Sequence, residues 1–167
     1  MLPIARAIEG SLGELVADAL RQLDGVPEDD LNGWRPATGL HDINTFAALM
    51  THLLGAAEYW TLEAVGGRAL GRDREAEFRA QTTADDLRAR AERWRENLRN
   101  VLADVSGADL ARVPALSRRF SRTSAPGGDE AMTVADCLVH AVDHTATHVG
   151  HLHIQRQLWD AERGGGK

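Results

Sequence analysis

Apolar residues recur at intervals of three and four along most of the chain, which is the spacing of one face of an α-helix. The first such stretch runs from Ile4 to Leu23. Gly25 and Pro27 follow it, and both residue types favour the end of a helix. The next residues, VPEDDLNGWRPATGLHD, are rich in Gly, Pro, Asn and Asp. The pattern therefore predicts an N-terminal helix followed by a loop.

A second helical pattern is predicted from Asn44, whose side chain is suited to cap free backbone N–H groups, to Val65. Two consecutive glycines then end it. This helix is apolar almost all round, which indicates burial on two faces. The charged stretch GRALGRDREAEFRAQ follows as a connection, with one helical turn expected between Glu75 and Arg79.

The third helix has a clear start signal. Thr83 and Asp86 have the spacing of a capping box, and apolar residues then mark one helical face as far as Val105. The segment 108–132, which contains two prolines and two adjacent glycines, follows. A connection of this length is uncommon inside a compact domain, so we expect it to pack over the helices or to rim a site.

Thr133 and Asp136 repeat the capping pattern and begin a fourth helix, predicted to reach about Trp159. No stretch shows the alternation of a strand. The sequence therefore predicts an all-α protein, a four-helix bundle with long connections. We expect residues 1–163 to form a single domain and residues 164–167 to form a flexible tail.

Composition narrows the functional classes. The chain has 167 residues and a net charge of −6, which argues against binding to nucleic acid through phosphate contacts. Cys137 is its one cysteine, so no intrachain disulfide is expected. The N-terminal residues lack the features of a signal peptide, and no apolar run is long enough for a membrane span. We therefore expect a cytoplasmic protein that does not bind a membrane.

Five of the seven histidines lie in HAVDHTATHVGHLHIQRQLW, which begins at residue 140. Three interpretations compete: a metal site, a solvated polar face, or helix positions with no special role. His140, His144 and His148 are spaced by one helical turn, as ligands on one helix face would be, and His151 extends the row.

The direction of each side chain separates these histidines. At about 100° per residue, His148 lies roughly 60° and His144 roughly 100° from the centre of the apolar face. His151 and His140 lie roughly 120° and 140° from it and are expected to approach solvent, while His153 is off the row. The sequence therefore favours His144 and His148 as a pair directed towards the interior.

Two imidazoles make a weak site, so a third protein ligand is expected. His41 lies in the predicted loop and His52 in the second helix; a helix holds a ligand more rigidly, which favours His52. The rotational position of His52 argues against it as a ligand, because His52 lies nearly opposite the apolar stripe that contains Met50 and Leu54. Three imidazoles with an open position suit Zn²⁺, Ni²⁺ or Fe²⁺, and the sequence does not choose among them.

Three stretches resemble the DinB/YfiT-like superfamily: WRPATGLHDINTFAALMTHLLGAAEYW, GRDREAEF and HTATHVGHLHIQRQLW. The resemblance implies a four-helix bundle with an unusual connection order. It also implies one divalent metal held by a histidine of the second helix and a His-x3-His pair of the fourth, which fall on His52, His144 and His148. The family commonly has Gln at the position of His151, a difference close to the implied metal site.

Relatives of this kind include bacillithiol- and mycothiol-dependent transferases and a mycothiol-dependent isomerase. Our first hypothesis is therefore a metal-dependent enzyme that uses a low-molecular-weight thiol, of the S-transferase or isomerase type, and acts on a small molecule. A second is a non-catalytic metal-binding protein of stress response or interaction, and a third is a hydrolase that activates water on the metal. The two apolar faces of the second helix also suggest a homodimer.

Several other side chains are candidates for supporting roles. Asp143 and Glu58 are each either orienting partners of a ligating imidazole or solvated carboxylates. Tyr59 and Trp60 either wall a pocket or belong to the core or a dimer interface, and Cys137 is expected to be a small core residue. Four arginines either bind an anionic thiol or substrate or form a solvated basic loop: Arg112, Arg118, Arg119 and Arg122.

Overall fold

Four long helical stretches make up most of the structure, a computed structural model that describes residues 1–37, 43–115 and 131–164. They are α1 (Pro3–Arg21), α3 (Phe46–Glu58) with the π-helical segment Tyr59–Val65 that continues it, α5 (Ala84–Asp104) and α6 (Val134–Gly164). Shorter elements are α2 (Glu28–Gly33), α4 (Arg74–Glu77) and the 3-10 turn Asp109–Ala111. The described residues contain no strand, which confirms the all-α prediction.

Side-chain caps fix where three of these helices begin. The hydroxyl of Thr83 accepts from the N–H of Asp86, and the hydroxyl of Thr133 accepts from the N–H of Asp136, so both predicted capping patterns are confirmed. The prediction of Asn44 as the cap of the second helix is wrong. Thr45 caps α3 instead, with its hydroxyl 3.1 Å from the N–H of Ala48.

The centre of the fold is α3, which packs against α6, α5, α4 and α2. Phe46, Met50 and Leu53 are fully buried, and nearly every residue of the helix is inaccessible to solvent. The apolar character all round this helix thus reflects coverage by other elements of the same chain. The apolar surface of α3 therefore does not support a homodimer, which stays a prediction.

The predicted second helix changes character at Tyr59. From there to Val65 it is π-helical, and the N–H of Gly66 donates to the carbonyl of Thr61 five residues back. The hydroxyl of Thr61 donates to the carbonyl of Ala57 at 2.6 Å. The predicted end of this helix at two glycines is confirmed.

The predicted loop after α1 contains a short helix, α2, so that prediction is wrong in part. Pro27 precedes its first turn, in which Glu28, Asp29 and Asp30 place negative charge near the free N–H groups. By contrast, the helical turn predicted near Glu75 is confirmed as α4, whose first turn is capped by Asp73.

The last helix is longer than predicted, since α6 continues past Trp159 to Gly164. Its final turn is fixed by α2: the indole N–H of Trp159 donates to Asp30 at 2.9 Å, and Arg163 forms an ion pair with Asp30 at 2.7 Å. These contacts stabilise a turn that the polar sequence AERGGGK would leave frayed.

Some predictions fall outside the described residues. They include the loop that holds His41, most of the 108–132 segment with Arg118, Arg119 and Arg122, and residues 165–167. Within the described ranges, no helix has the length and apolar character needed to cross a membrane.

Candidate metal centre

Three histidines from two helices converge where α3 packs against α6; His52 is buried, and His144 and His148 are half-buried. His52 comes from α3, and His144 and His148 come from adjacent turns of α6. One ring nitrogen of each lies within 4.8 Å of the corresponding nitrogens of the other two. The ring centroids are 4.5 to 5.2 Å apart. The structure therefore brings the three histidines together in positions from which they can contact one cation, and we call them the three-histidine cluster.

The packing of α3 against α6 resolves the rotational problem of His52. Because α3 is covered on several sides, a residue opposite its main apolar stripe is still buried, and the side chain of His52 is only 5% exposed. Phe78, which follows α4, stacks on the imidazole with centroids 4.7 Å apart. Phe78 thus restricts the orientation of the His52 ring.

Glu77, the last residue of α4, fixes the ring of His52. Its Oε2 lies 2.8 Å from Nδ1 of His52, and both side chains are almost completely buried. A carboxylate accepts and does not donate, so Nδ1 of His52 carries the proton. The lone pair of His52 is then on Nε2, the nitrogen available to a cation.

Arg72 holds that carboxylate in place. Its Nε and Nη2 donate to the two oxygens of Glu77 at 2.5 and 2.7 Å, which is a bidentate arrangement. The guanidinium also lies over the ring of Tyr59, 5.7 Å from its centroid. A buried carboxylate is costly without a partner, and the Arg72 pair offsets much of that cost.

Gly55 provides the space for this pair. A β-carbon at this position of α3 would collide with Oε1 of Glu77 and lie 2.8 Å from its carboxyl carbon. Any side chain here would displace the carboxylate from Arg72 and His52. A glycine inside a helix costs up to about 1 kcal/mol relative to alanine, and close approach of Glu77 accounts for its presence.

The two histidines of α6 differ in their contacts. Nδ1 of His144 is buried and has no hydrogen-bond partner. Nδ1 of His148 lies 3.3 Å from Nδ1 of His151, which is exposed. The prediction that His151 approaches solvent is thus confirmed, and its ring touches the cluster at the position where the family commonly has Gln.

Burial favours the neutral form of all three imidazoles, and this is the form that binds metals. Burial, followed by the neighbouring His148, lowers the pKa of His144 to about 3. Burial and the neighbouring His52 lower the pKa of His148 to about 4. Burial also lowers the pKa of His52, and the hydrogen bond to Glu77 opposes that shift.

These donors fit a divalent transition metal. Nδ1 of His144 is buried without a partner beside two other imidazoles, so a ring nitrogen is available to a cation. An imidazole whose second nitrogen donates to a carboxylate is the usual arrangement around zinc and related metals. All three ligand nitrogens are of the kind that Zn²⁺, Ni²⁺ and Fe²⁺ accept, whereas Mg²⁺ and Ca²⁺ prefer oxygen.

The predicted supporting carboxylates lie elsewhere. Glu58 pairs with Arg90 at 2.6 Å, and Asp143 is exposed on the outer side of α6. The carboxylate that contacts His52 is instead Glu77, and neither Glu77 nor Arg72 was predicted from the sequence. The available signal was that both residues lie in the segment GRDREAEF, which was noted for its resemblance to the family.

The remaining predicted residues surround the cluster at greater distance. Tyr59 contacts Arg72, and Trp60 is buried with its ring 4.6 Å from that of His140. His140 is half-buried against an aromatic ring, so its predicted approach to solvent is confirmed only in part. Cys137 is fully buried in the core, as predicted. Arg112 pairs with Asp109 at 3.6 Å, in the 3-10 turn.

Comparison with known proteins places the chain in a family. A search of the curated proteins finds no match to the chain. The family model of the DinB superfamily matches residues 13–152, which include all three histidines of the cluster together with Arg72 and Glu77. The chain therefore belongs to the DinB superfamily.

Proposed function

We propose that the chain binds one divalent metal ion, Zn²⁺, Ni²⁺ or Fe²⁺, through His52, His144 and His148. We further propose that it is a metal-dependent enzyme that uses a low-molecular-weight thiol, of the S-transferase or isomerase type. The observation that carries the proposal is the convergence of three neutral imidazoles within 4.8 Å. Its second support is the buried pair of Glu77 and Arg72 behind His52.

Each of these side chains has a defined part. Glu77 keeps the proton of His52 on Nδ1 and so directs Nε2 towards the cluster, and Arg72 holds Glu77 in that position. Burial keeps His144 and His148 unprotonated. His52, His144 and His148 would hold the metal through three ring nitrogens. Such a metal, when bound, would favour the thiolate form of a small thiol near neutral pH.

A small thiol is favoured as nucleophile because the chain does not offer a thiol of its own at the site. Cys137 is fully buried and lies about two helical turns before His144, roughly 10 Å along α6. In the transferase reaction the sulfur of the small thiol forms a bond to an electrophilic carbon. The bond to the leaving group breaks and its electron pair departs with that group, while the thiol proton passes to solvent.

Metal binding is tested by elemental analysis of purified protein. Wild type is expected to contain about one equivalent of metal, and His144→Ala is expected to lose most of it. His153→Ala is the matched control, because His153 is also on α6 but pairs with Asp18 at 2.9 Å, away from the cluster. Equal metal content in all three proteins would overturn the metal site.

The reaction is tested by conjugation of a model electrophile with several small thiols, with metal present and after its removal. We expect a rate that depends on both the thiol and the metal and is lost in His144→Ala. Turnover without thiol would contradict the thiol proposal and favour a metal-activated water hydrolase. Full metal content with no turnover under any condition would favour a non-catalytic metal-binding protein.

A further inference from the structure

An apolar groove begins where the three-histidine cluster ends. It has a volume of about 320 Å³, within the range of small-molecule sites. Its walls include Ile43 from the loop before α3, Leu49 from α3, and four residues of α6: His151, Ile154, Gln155 and Leu158. One face of α6 therefore joins the cluster to the groove.

The spacing along α6 makes that connection direct. His144, His148, His151 and Gln155 follow one another at intervals of four, three and four residues, so they share one helix face. Gln155 lies seven residues beyond His148, which is about 10 Å along the helix axis. His151 stands between them, in contact with His148 and in the wall of the groove.

Gln155 has an unmet hydrogen-bonding requirement. The residue is only 4% exposed, and its Nε2 donates to the carbonyl of Asn44 at 2.9 Å. Its Oε1 has no partner, a condition shared among the described residues only by Nδ1 of His144. A buried carbonyl oxygen without a partner is destabilising, and a donor on a ligand in the groove that Gln155 lines would satisfy it.

The described residues that line the groove carry no formal charge, and one of them, His151, has a titratable ring. The nearest cation of α6, Arg156, is directed away from it and donates to the carbonyls of Gln22 and Asp24. Without charged groups the groove does not attract the anionic parts of a ligand. It favours an uncharged, apolar body.

We propose that this groove binds the electrophilic cosubstrate, a neutral elongated molecule. Its apolar body lies along Leu49, Ile154 and Leu158, and an amide N–H or hydroxyl donates to Oε1 of Gln155. Its reacting carbon lies at the three-histidine cluster, about 10 Å away. The conclusion that this ligand is a substrate rests on the proposed function. Binding of a ligand to the groove is measurable without any reaction.

The test uses the neutral fluorescent probe N-phenyl-1-naphthylamine, which has an apolar body and one N–H, and its N-methyl derivative, which has none. Ile154→Arg places a charge in the groove; Ile154 is 58% exposed, so the fold is expected to tolerate it. Val139→Arg is the matched control, since Val139 is a 46% exposed aliphatic residue of α6 outside the groove. Circular dichroism verifies that each variant is folded.

Wild type and Val139→Arg are expected to bind the probe saturably, and Ile154→Arg at least about tenfold more weakly. Wild type is expected to prefer the N–H probe to the N-methyl probe by about three- to tenfold, and Gln155→Leu to lose that preference. Equal binding by Ile154→Arg and wild type, or an unchanged preference in Gln155→Leu, would overturn the groove proposal.

Failure of the proposed function has a different signature. If no electrophile is conjugated to a thiol but probe binding depends on Ile154 and Gln155, the proposed reaction is refuted and the groove proposal is supported. If thiol conjugation is equally fast in wild type and Ile154→Arg with electrophiles of every length, the proposed reaction is supported and the groove proposal is refuted.

Discussion

The hydrogen bond between His52 and Glu77 gives the sharpest test of how the cluster is held. Glu77→Gln keeps the size of the side chain and an oxygen that can accept from Nδ1 of His52, but it removes the negative charge. It also leaves Arg72, whose side chain is 17% exposed, without its bidentate partner. Glu77→Ala removes the acceptor as well. The two variants therefore separate the charge from the hydrogen bond.

The expected size of the effect follows from these contacts. A hydrogen bond to a charged group is roughly twice as strong as a neutral one, so the amide orients His52 less firmly. The unpaired charge of Arg72 would also oppose a cation at the cluster. Loss of such an orienting partner typically lowers metal affinity by about 10- to 100-fold. We expect about tenfold for Glu77→Gln and up to about 100-fold for Glu77→Ala.

The measurement is a competition titration of Zn²⁺ against a chromogenic chelator at pH 7. Glu58→Gln is the control, because Glu58 is also paired with an arginine, Arg90, but is only half-buried and has no hydrogen bond to an imidazole. It is expected to bind Zn²⁺ within about twofold of wild type. Affinity unchanged in both Glu77 variants would refute the argument that Glu77 orients His52.

Three further predictions concern Gly55, Thr61 and His144. Gly55→Ala is expected to displace Glu77 and to lower Zn²⁺ affinity about tenfold in the same titration. Its effect on Tm is expected to be smaller, because alanine favours the helix. Unchanged affinity would contradict the steric argument. Thr61→Val leaves the indole N–H of Trp94 without the acceptor it has at 3.1 Å. We expect a loss of about 1–3 kcal/mol in the free energy of unfolding, measured by denaturant titration, and the absence of any loss would refute this role. The pKa of His144 is lowered from 6.5 to about 3 in the folded protein. Below pH 6.5 the unfolded state of the metal-free protein therefore binds more protons than the folded state, and the free energy of unfolding falls as the pH falls. The Tm of metal-free wild type should therefore fall more steeply from pH 6.5 to 4.5 than that of His144→Gln; parallel curves would contradict the assignment.

The sequence could predict the elements of the fold whose stabilisation is local. Thr83 and Thr133 begin helices because their hydroxyls bond to backbone three residues away, and that information lies within one turn. The direction of His144 and His148 followed from the apolar face of a single helix. The end of α6 was predicted too early, because its last turn depends on Asp30, more than a hundred residues away in the chain.

The parts of the site that depend on distant contacts were harder to predict. His52 was one of two possibilities until the packing of α3 against α6 placed its ring beside the pair. Glu77 and Arg72 come from a short helix and the connection before it, where no periodicity shows which side chain faces the core. Their role depends on a close approach to Gly55, and a glycine inside a helical pattern does not by itself indicate what it accommodates.

The continuity of α6 limits how this site can change over evolution. The helix runs without interruption for 31 residues, and both the cluster and the groove depend on its register. Insertion or deletion of one residue between His148 and Gln155 would rotate everything beyond it by about 100°. The groove would then open on a different side of the protein from the imidazoles. Relatives with other ligand preferences are therefore expected to differ from this chain by substitutions at groove positions of α6, with the number of residues between the histidine pair and the groove conserved.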